Sequence, residues 1–308
     1  MTRRPRLAVT GSTGLVGKAL CRAAVAAGWD VVRLVRAARG EPGTGEPGTA
    51  AWDPATGAID AQALGAVDAV VHLAGENVAG GRWSKARKAA IAGSRGPATE
   101  ALCRTLAALP APPKVLVSAS ATGVYGDRGD ETLDETSTPG QGFLANVARA
   151  WEAGTAPLAQ TGARVVLLRI GVVLARDGGA LPRMLPPFRL GLGGPLGSGR
   201  QWMSWISLSD LVRAILFALG NERLRGAVLA TAPTPVTNRD FGRALGRVLR
   251  RPAVLPAPAF ALRLLLGEMA QALLLSSQRC APKALAAAGF RYEHGALDGA
   301  LRAALAKG

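Results

Sequence analysis

The chain has 308 residues, with almost half of them hydrophobic and 19% charged. That length and composition describe a soluble globular protein with a full core, arranged as one large or two modest domains. The formal net charge of +16 rests on 37 basic residues, of which six are lysine and 31 arginine. The arginines are scattered, with no basic tail and no run interleaved with aromatics, so nucleic acid is not an expected partner.

Two histidines, His72 and His294, and three distant cysteines, Cys21, Cys103 and Cys280, offer no metal-ligand spacing. A metal site is therefore not expected, and the cysteines read as reduced core thiols of a cytoplasmic protein. The start MTRRPRLAVTG lacks the long apolar run of a secretory signal. The most lipid-like stretch, Ala257 to Leu275, is interrupted by Arg263, Glu268 and Gln271, so it reads as a buried or amphipathic helix. No membrane partner is expected, and the oligomeric state stays open.

In chain order, Leu7 to Thr10 ends a short buried strand that runs into Gly11-x-x-Gly14-x-x-Gly17 and then a helix, Lys18 to Ala27. Gly11 allows a tight turn, Gly14 lets backbone approach a pyrophosphate, and Gly17 lets helix pack closely on strand. Free amides from Gly14 to Val16, aided by the helix dipole, suit phosphate. Asp30 to Val35 is a second strand, and the tandem GEPGT (Gly40 to Thr44, Gly45 to Thr49) is a surface loop. Ala66 to Leu73 is a buried strand ending at Ala74-Gly75. A helix follows from Ser84 through an interruption near Pro97 toward Leu109, then a strand at Lys114 to Ser118, a helix at Val147 to Ala159 and a strand at Arg164 to Leu174.

This alternation predicts an α/β fold, a Rossmann-type doubly wound parallel sheet. Residues 1–175 would form the dinucleotide-binding domain, with 204–232 returning to it. Residues 176–308 would form a smaller, mostly helical substrate-side region. Within it, Asp177 to Gly199 is too rich in Gly and Pro for regular structure and reads as a covering or binding loop. Helices are expected at Ser209 to Leu219, near Arg239 to Leu249, at Pro258 to Leu275, at Pro282 to Ala288 and near Gly295 to Ala306.

Strand two ends in Arg36, with Arg39 beyond and no carboxylate before Glu41. An acidic residue there would take the adenosine ribose hydroxyls, whereas a guanidinium suits a 2′-phosphate through charge-assisted, bidentate bonds. The expected cofactor is therefore NADP, with NADPH preferred over NADH. Solvated arginines on an arginine-rich chain are the competing explanation.

Several long stretches carry a family resemblance: HLAGENVAGGRWSKARKAAIAGSR (His72 to Arg95), SASATGVYGDRGDE (Ser118 to Glu131), FLANVARAWE (Phe143 to Glu152), Arg169 to Ile206, and Leu264 to Tyr292. Nearly the whole chain resembles the atypical short-chain dehydrogenase/reductases of the epimerase/dehydratase-like family, whose members carry a C-terminal domain of unknown function, here 254–304. The resemblance implies that Thr13, Gly14, Leu15 and Val16 hold the pyrophosphate and Arg36 the 2′-phosphate. It implies that Leu73, Ala74 and Gly75 pass under the adenine and ribose, and that Val173 lies near the nicotinamide. Arg95 stands where extended relatives carry an asparagine.

Extended relatives pair a serine with Tyr-x-x-x-Lys, the lysine lowering the tyrosine pKa for general base work. Ser120 sits at about the serine position, but Leu144 and Ala148 occupy the tyrosine and lysine positions ahead of Glu152. Neither of the two tyrosines, Tyr125 and Tyr292, has a lysine four residues on. Substitutes compete with structural roles: Tyr125 with turn packing, Glu76 and Asn77 with capping, and Arg82 and Trp83 with a helix start. Arg200, Gln201, Trp202 and Trp205 offer pocket lining or core packing, and Asp210 a helix start. Catalytic residues are thus unassigned. Two functions remain: an NADP(H)-dependent oxidoreductase or epimerase-like enzyme on a small organic substrate, or a cofactor-binding sensor without turnover.

Overall fold

The computed structural model describes residues 3–36 and 46–306. Arg39 and the first GEPGT copy lie outside the described residues. The chain runs β1 (Arg6–Thr10), α1 (Leu15–Ala26), β2 (Asp30–Arg36), β3 (Thr49–Trp52), β4 (Ala69–His72), α2 (Lys85–Gly93), α3 (Gly96–Ala107) and β5 (Val115–Ala121). It continues through α4 (Phe143–Ala153), β6 (Arg164–Ile170), α5 (Leu181–Arg189), α6 (Leu208–Gly220) and β7 (Gly226–Ala230). The described C-terminal helices are α7 (Asn238–Leu249), α8 (Ala259–Leu266) and α9 (Leu297–Leu305), besides shorter turns.

Among the described residues seven strands form one sheet in the order β7-β6-β5-β4-β1-β2-β3, every pair parallel. The Rossmann-type doubly wound fold is therefore present. Parallel strands buried on both faces explain the unbroken apolar runs of the sequence. Along β1 the side chains alternate between two cores: Leu7 and Val9 pack with Leu20 of α1 and Ile215 of α6, while Ala8 packs with Leu102 and Leu106 of α3. Strand order reverses between β1 and β4, and the crevice beyond their carboxyl ends is where such sheets bind ligands.

The expected helix Ser84 to Leu109 is two helices. The chain breaks at Ser94 and Arg95, the latter at φ −116°, ψ −85°, and Pro97 falls in the first turn of α3, where its missing N–H costs no helical bond. The expected strand Arg164 to Leu174 ends at Ile170. Gly171 passes so close to Ser204 that a β-carbon would lie 2.6 Å from its carbonyl oxygen, and Val172–Leu174 pairs instead with Trp205–Ser207. Thr49, expected in a loop, opens the edge strand β3 beside β2.

The Asp177 to Gly199 segment contains α5 despite Pro182, Pro186 and Pro187. Leu181, Leu185 and Phe188, spaced one helical turn apart, are buried in a third core with Trp205, Phe241 and Leu301, and that burial outweighs the lost backbone bonds. The expected helix Pro258 to Leu275 is interrupted at Gly267, whose φ of +61° ends α8.

Asp210 links the sheet layer to the C-terminal segment. It is fully buried, accepts from the hydroxyl of Ser207, pairs with Arg213, and takes the amides of Glu293 and His294 at 2.8 and 2.9 Å. Removing the carboxylate leaves buried donors without acceptors. Asp210→Ala is expected to lower the unfolding free energy by about 3–5 kcal/mol, read from urea denaturation.

Candidate functional site

The loops after β1 and β4 meet at the strand-order reversal. Gly11 has φ +65°, and a β-carbon there would stand 2.8 Å from the Leu73 carbonyl carbon and 2.9 Å from the Ala74 amide. Only glycine meets both demands. A turn closes with the Gly14 amide donating to Gly11 O at 3.0 Å. A β-carbon on Gly17 would lie 2.2 Å from Gly11 O, so the first turn of α1 rests directly on the loop. The helix starts at Leu15, one turn before the expected Lys18, with no side-chain cap and no acidic residue in its first turn. Its opening amides are thus left to a ligand or water. Thr13 is exposed, while Leu15 and Val16 are half-buried. Beside them Ser12 is buried, and its hydroxyl has no hydrogen-bond partner among the described residues.

The Leu73-Ala74-Gly75 loop is pinned from beneath. Thr10 Oγ accepts the amides of Leu73 and Ala74 at 3.1 and 3.2 Å, so its single proton goes to His72 Nδ1, 2.8 Å away. His72 is then the Nε2–H tautomer, donating to Thr99 Oγ at 2.9 Å. Arg95 supports the same loop from the other side. Its guanidinium donates to the carbonyls of Glu76 and Ile91, lies 4.9 Å over the Trp151 ring, and would be 3.3 Å from a β-carbon on Gly75. Burial pulls the Arg95 pKa down to about 10, against the opposing pull of Glu76.

Arg36 ends β2 exposed, paired in register with Trp52, and no ion pair engages it among the described residues. The neighbouring carboxylate, Asp53, is occupied by the Ala55 amide and the Thr56 hydroxyl. Val173 lies on the short strand after β6. Its carbonyl would be 3.2 Å from a β-carbon on Gly179, and the same loop touches Leu15 through Gly178.

At the β5 end, Ser120 Oγ donates to Glu152 at 2.7 Å, and Glu152 is held by Arg169 through two bonds of 2.8 Å. Arg169 also donates to the Tyr125 hydroxyl at 2.9 Å, which donates onward to Asp134 O. Burial opposes the Arg169 charge, yet the Glu152 bonds prevail and raise its pKa. Tyr125 is fully buried, which pushes its pKa up to about 12. Leu144 stands near Gly123, and Ala148 is buried against Tyr125. The positions that would carry Tyr and Lys therefore present only hydrocarbon.

The other candidates have structural partners. Glu76 pairs with Arg87, Asn77 caps the Ala79 amide, and Trp83 donates to Val78 O. Trp202 donates to Asp130, Gln201 bridges the carbonyls of Leu196 and Leu274, and Trp205 is fully buried. Arg82 faces Gly267 and Arg200 is exposed. Among the described residues no group of three His, Cys, Asp or Glu is placed to hold a metal ion.

The sequence reading missed Gln278. It donates to Gly126 O at 2.9 Å and meets the Thr122 hydroxyl at 3.3 Å, tying the C-terminal region to the β5 terminus. The two residues are 156 positions apart, a separation that no local pattern signals.

The comparisons with known proteins agree with this architecture. The profile described as NAD dependent epimerase/dehydratase family matches residues 7–228. The chain belongs to that family. A domain of unknown function (DUF1731) matches residues 257–304. Epimerase family protein Mb2239 of Mycobacterium bovis is 47% identical over 295 residues, 96% of each chain. The human epimerase family protein SDR39U1 is 36% identical, covering 96% of this chain and 98% of its own. The crystal structure of human SDR39U1 (isoform2) with NADPH superimposes with a TM-score of 0.87 at 34% identity, over 97% and 98% of the two chains. MoeE5 in complex with UDP-glucuronic acid and NAD shares the fold at a TM-score of 0.74 and 21% identity.

Burial holds the His72 pKa down, to about 4 from an ordinary 6.5. The native state thus binds fewer protons than the unfolded chain, so this contribution is full above pH 6.5 and is lost as pH falls toward 4. The expected loss is about 3 kcal/mol. Urea titrations at both ends of that window should show a shallower decline for His72→Gln than for the parent chain.

Proposed function

We propose that the chain is an NADP(H)-dependent oxidoreductase or epimerase-like enzyme acting on a small organic substrate. The observation that carries cofactor binding is the Ser12 hydroxyl, buried without a partner among the described residues beside uncapped helix amides and a cradle that β-carbons on Gly11 or Gly17 would fill. A buried hydroxyl left unpaired costs about 1–3 kcal/mol, which a phosphate oxygen would recover. The residues fit the dinucleotide. Gly11 to Gly17 would hold the pyrophosphate, Leu73 to Gly75 the adenosine, and Val173 the nicotinamide side. Arg95 positions the adenosine loop. Arg36, with no acidic partner among the described residues, would pair with a 2′-phosphate. The NADPH in the human relative's structure supports the same reading.

When bound, the nicotinamide supplies hydride chemistry. Leu144 and Ala148 are hydrocarbon and exchange no proton. Ser120 and Tyr125 are committed to the Glu152–Arg169 pair, so a proton would pass through water. That commitment is also what favours the second reading, a cofactor-binding sensor without turnover. The reducing compartment expected for three free cysteines suits either reading.

Ser12→Ala should weaken NADPH and NADH alike by about tenfold or more while leaving the ligand-free protein as stable or more so. Arg36→Ala should weaken NADPH by roughly ten- to a hundredfold and leave NADH unchanged. Calorimetric titration reads both. Equal affinity for the two cofactors would contradict the NADP preference. NADPH consumption on a carbonyl panel separates enzyme from sensor.

A further inference from the structure

We propose that the face formed by the end of α7 and the segments 189–192 and 250–255 is a docking surface for an anionic phospholipid bilayer. The C-terminal end of α7 opens into a cleft of about 460 Å³ lined by Arg243, Arg247, Arg250 and Arg251 together with Val254. Among the described residues two acids pair with these arginines, Asp240 with Arg243 and Asp298 with Arg247. Among the described residues Arg250 and Arg251 have no acidic partner. Arg250 ends the helix at φ +54°, a left-handed conformation ordinarily taken by glycine, and is the one non-glycine residue there among those described. Cationic groups near a helix C-terminus are favoured by its dipole, but Arg250 and Arg251, adjacent and without acidic partners, repel one another unless an anion joins them.

Aliphatic side chains emerge beside the cleft. The Leu255 amide donates to Gly193 O at 3.1 Å, and a β-carbon on Gly191 would lie 3.5 Å from Pro252 Cγ, so the two segments run side by side. Leu190, Leu192, Val254 and Leu255 are 74, 58, 73 and 49% exposed. Together they present roughly 400 Å² of apolar surface, at the upper end of what a monomer leaves to water without use. Stable pairing of two copies needs about 800 Å² per partner, and a second copy would set arginines against arginines. A nucleic acid would satisfy the arginines but leave the aliphatic groups without partners. An anionic bilayer satisfies both, with phosphates in the cleft and aliphatic tips at the acyl boundary. This requires no membrane span, and no described helix is long and apolar enough to make one. It departs from the sequence expectation that membranes are not partners.

The test is sedimentation of the full chain with vesicles of phosphatidylcholine, with or without phosphatidylglycerol. Binding should require phosphatidylglycerol and weaken steeply with salt. Arg250→Ala with Arg251→Ala should weaken it about thirtyfold, and Leu190→Ser with Val254→Ser about tenfold. Arg22→Ala with Arg225→Ala, a change of equal net charge at two exposed arginines elsewhere, should alter it less than about twofold. Absence of binding to the phosphatidylglycerol vesicles would overturn the proposal, as would an equal effect of the two arginine pairs. Loss with the cleft arginines but not with the serine pair would also overturn it. So would duplex DNA binding that follows the cleft arginines while the vesicles do not bind. None of these readouts involves the dinucleotide.

Discussion

The Leu73 carbonyl and the Ala74 amide come within 3 Å of where a β-carbon on Gly11 would stand, and Gly11 O comes closer still to the corresponding point on Gly17. Three backbone segments, the ends of β1 and β4 and the start of α1, therefore meet with no side chain between them. Nothing in that contact is apolar, so it is held by hydrogen bonds, chiefly those of the Thr10 hydroxyl to two amides and to His72. The parallel sheet delivers the segments to the same point, since β1 and β4 are neighbours whose carboxyl ends open on the crevice at the reversal of strand order.

The β5 terminus illustrates how the same fold spends its polar groups differently. The Glu152–Arg169 pair is nearly buried, with side-chain exposures of 12 and 7%. Breaking such a pair by removing one partner leaves an uncompensated charge, whereas satisfying every lone pair around it makes the site rigid. Ser120 and Tyr125 complete that satisfaction. Their hydroxyls hold the crossing of β5, β6 and α4 in place, and the hydrocarbon of Leu144 and Ala148 fills the adjacent space. Cofactor binding and proton transfer are thus separable in this architecture, the first built into backbone geometry and the second dependent on side chains that here serve packing.

Much of the fold was legible because parallel strands buried on both faces write themselves as uninterrupted apolar runs, and the glycine spacing after β1 fixes how strand meets helix. The glycine loop after β1 and Arg36 stand out in the sequence for the same reason: the roles proposed for them depend on local backbone and on a strand end. What local pattern obscured was settled by tertiary packing. The helix at Leu181–Arg189 forms despite three prolines because Leu181, Leu185 and Phe188 find a core contributed from elsewhere in the chain. Conversely, the interruption expected near Pro97 falls at Ser94 and Arg95, where Arg95 turns back to hold the loop after β4. Gln278 reaches the β5 terminus because Arg279–Cys280 pairs with Thr132–Leu133 and Ser277 bonds to Asp127 and Gly129, contacts with no signature in either segment.

The most direct measurement is a crystal structure of the protein with NADPH. The account predicts the dinucleotide across the β1–β4 crevice, with the Ser12 hydroxyl and the first amides of α1 on the pyrophosphate and the Arg36 guanidinium on the 2′-phosphate. A complex in which the Ser12 hydroxyl stays unengaged, or in which the dinucleotide lies away from that crevice, would contradict it.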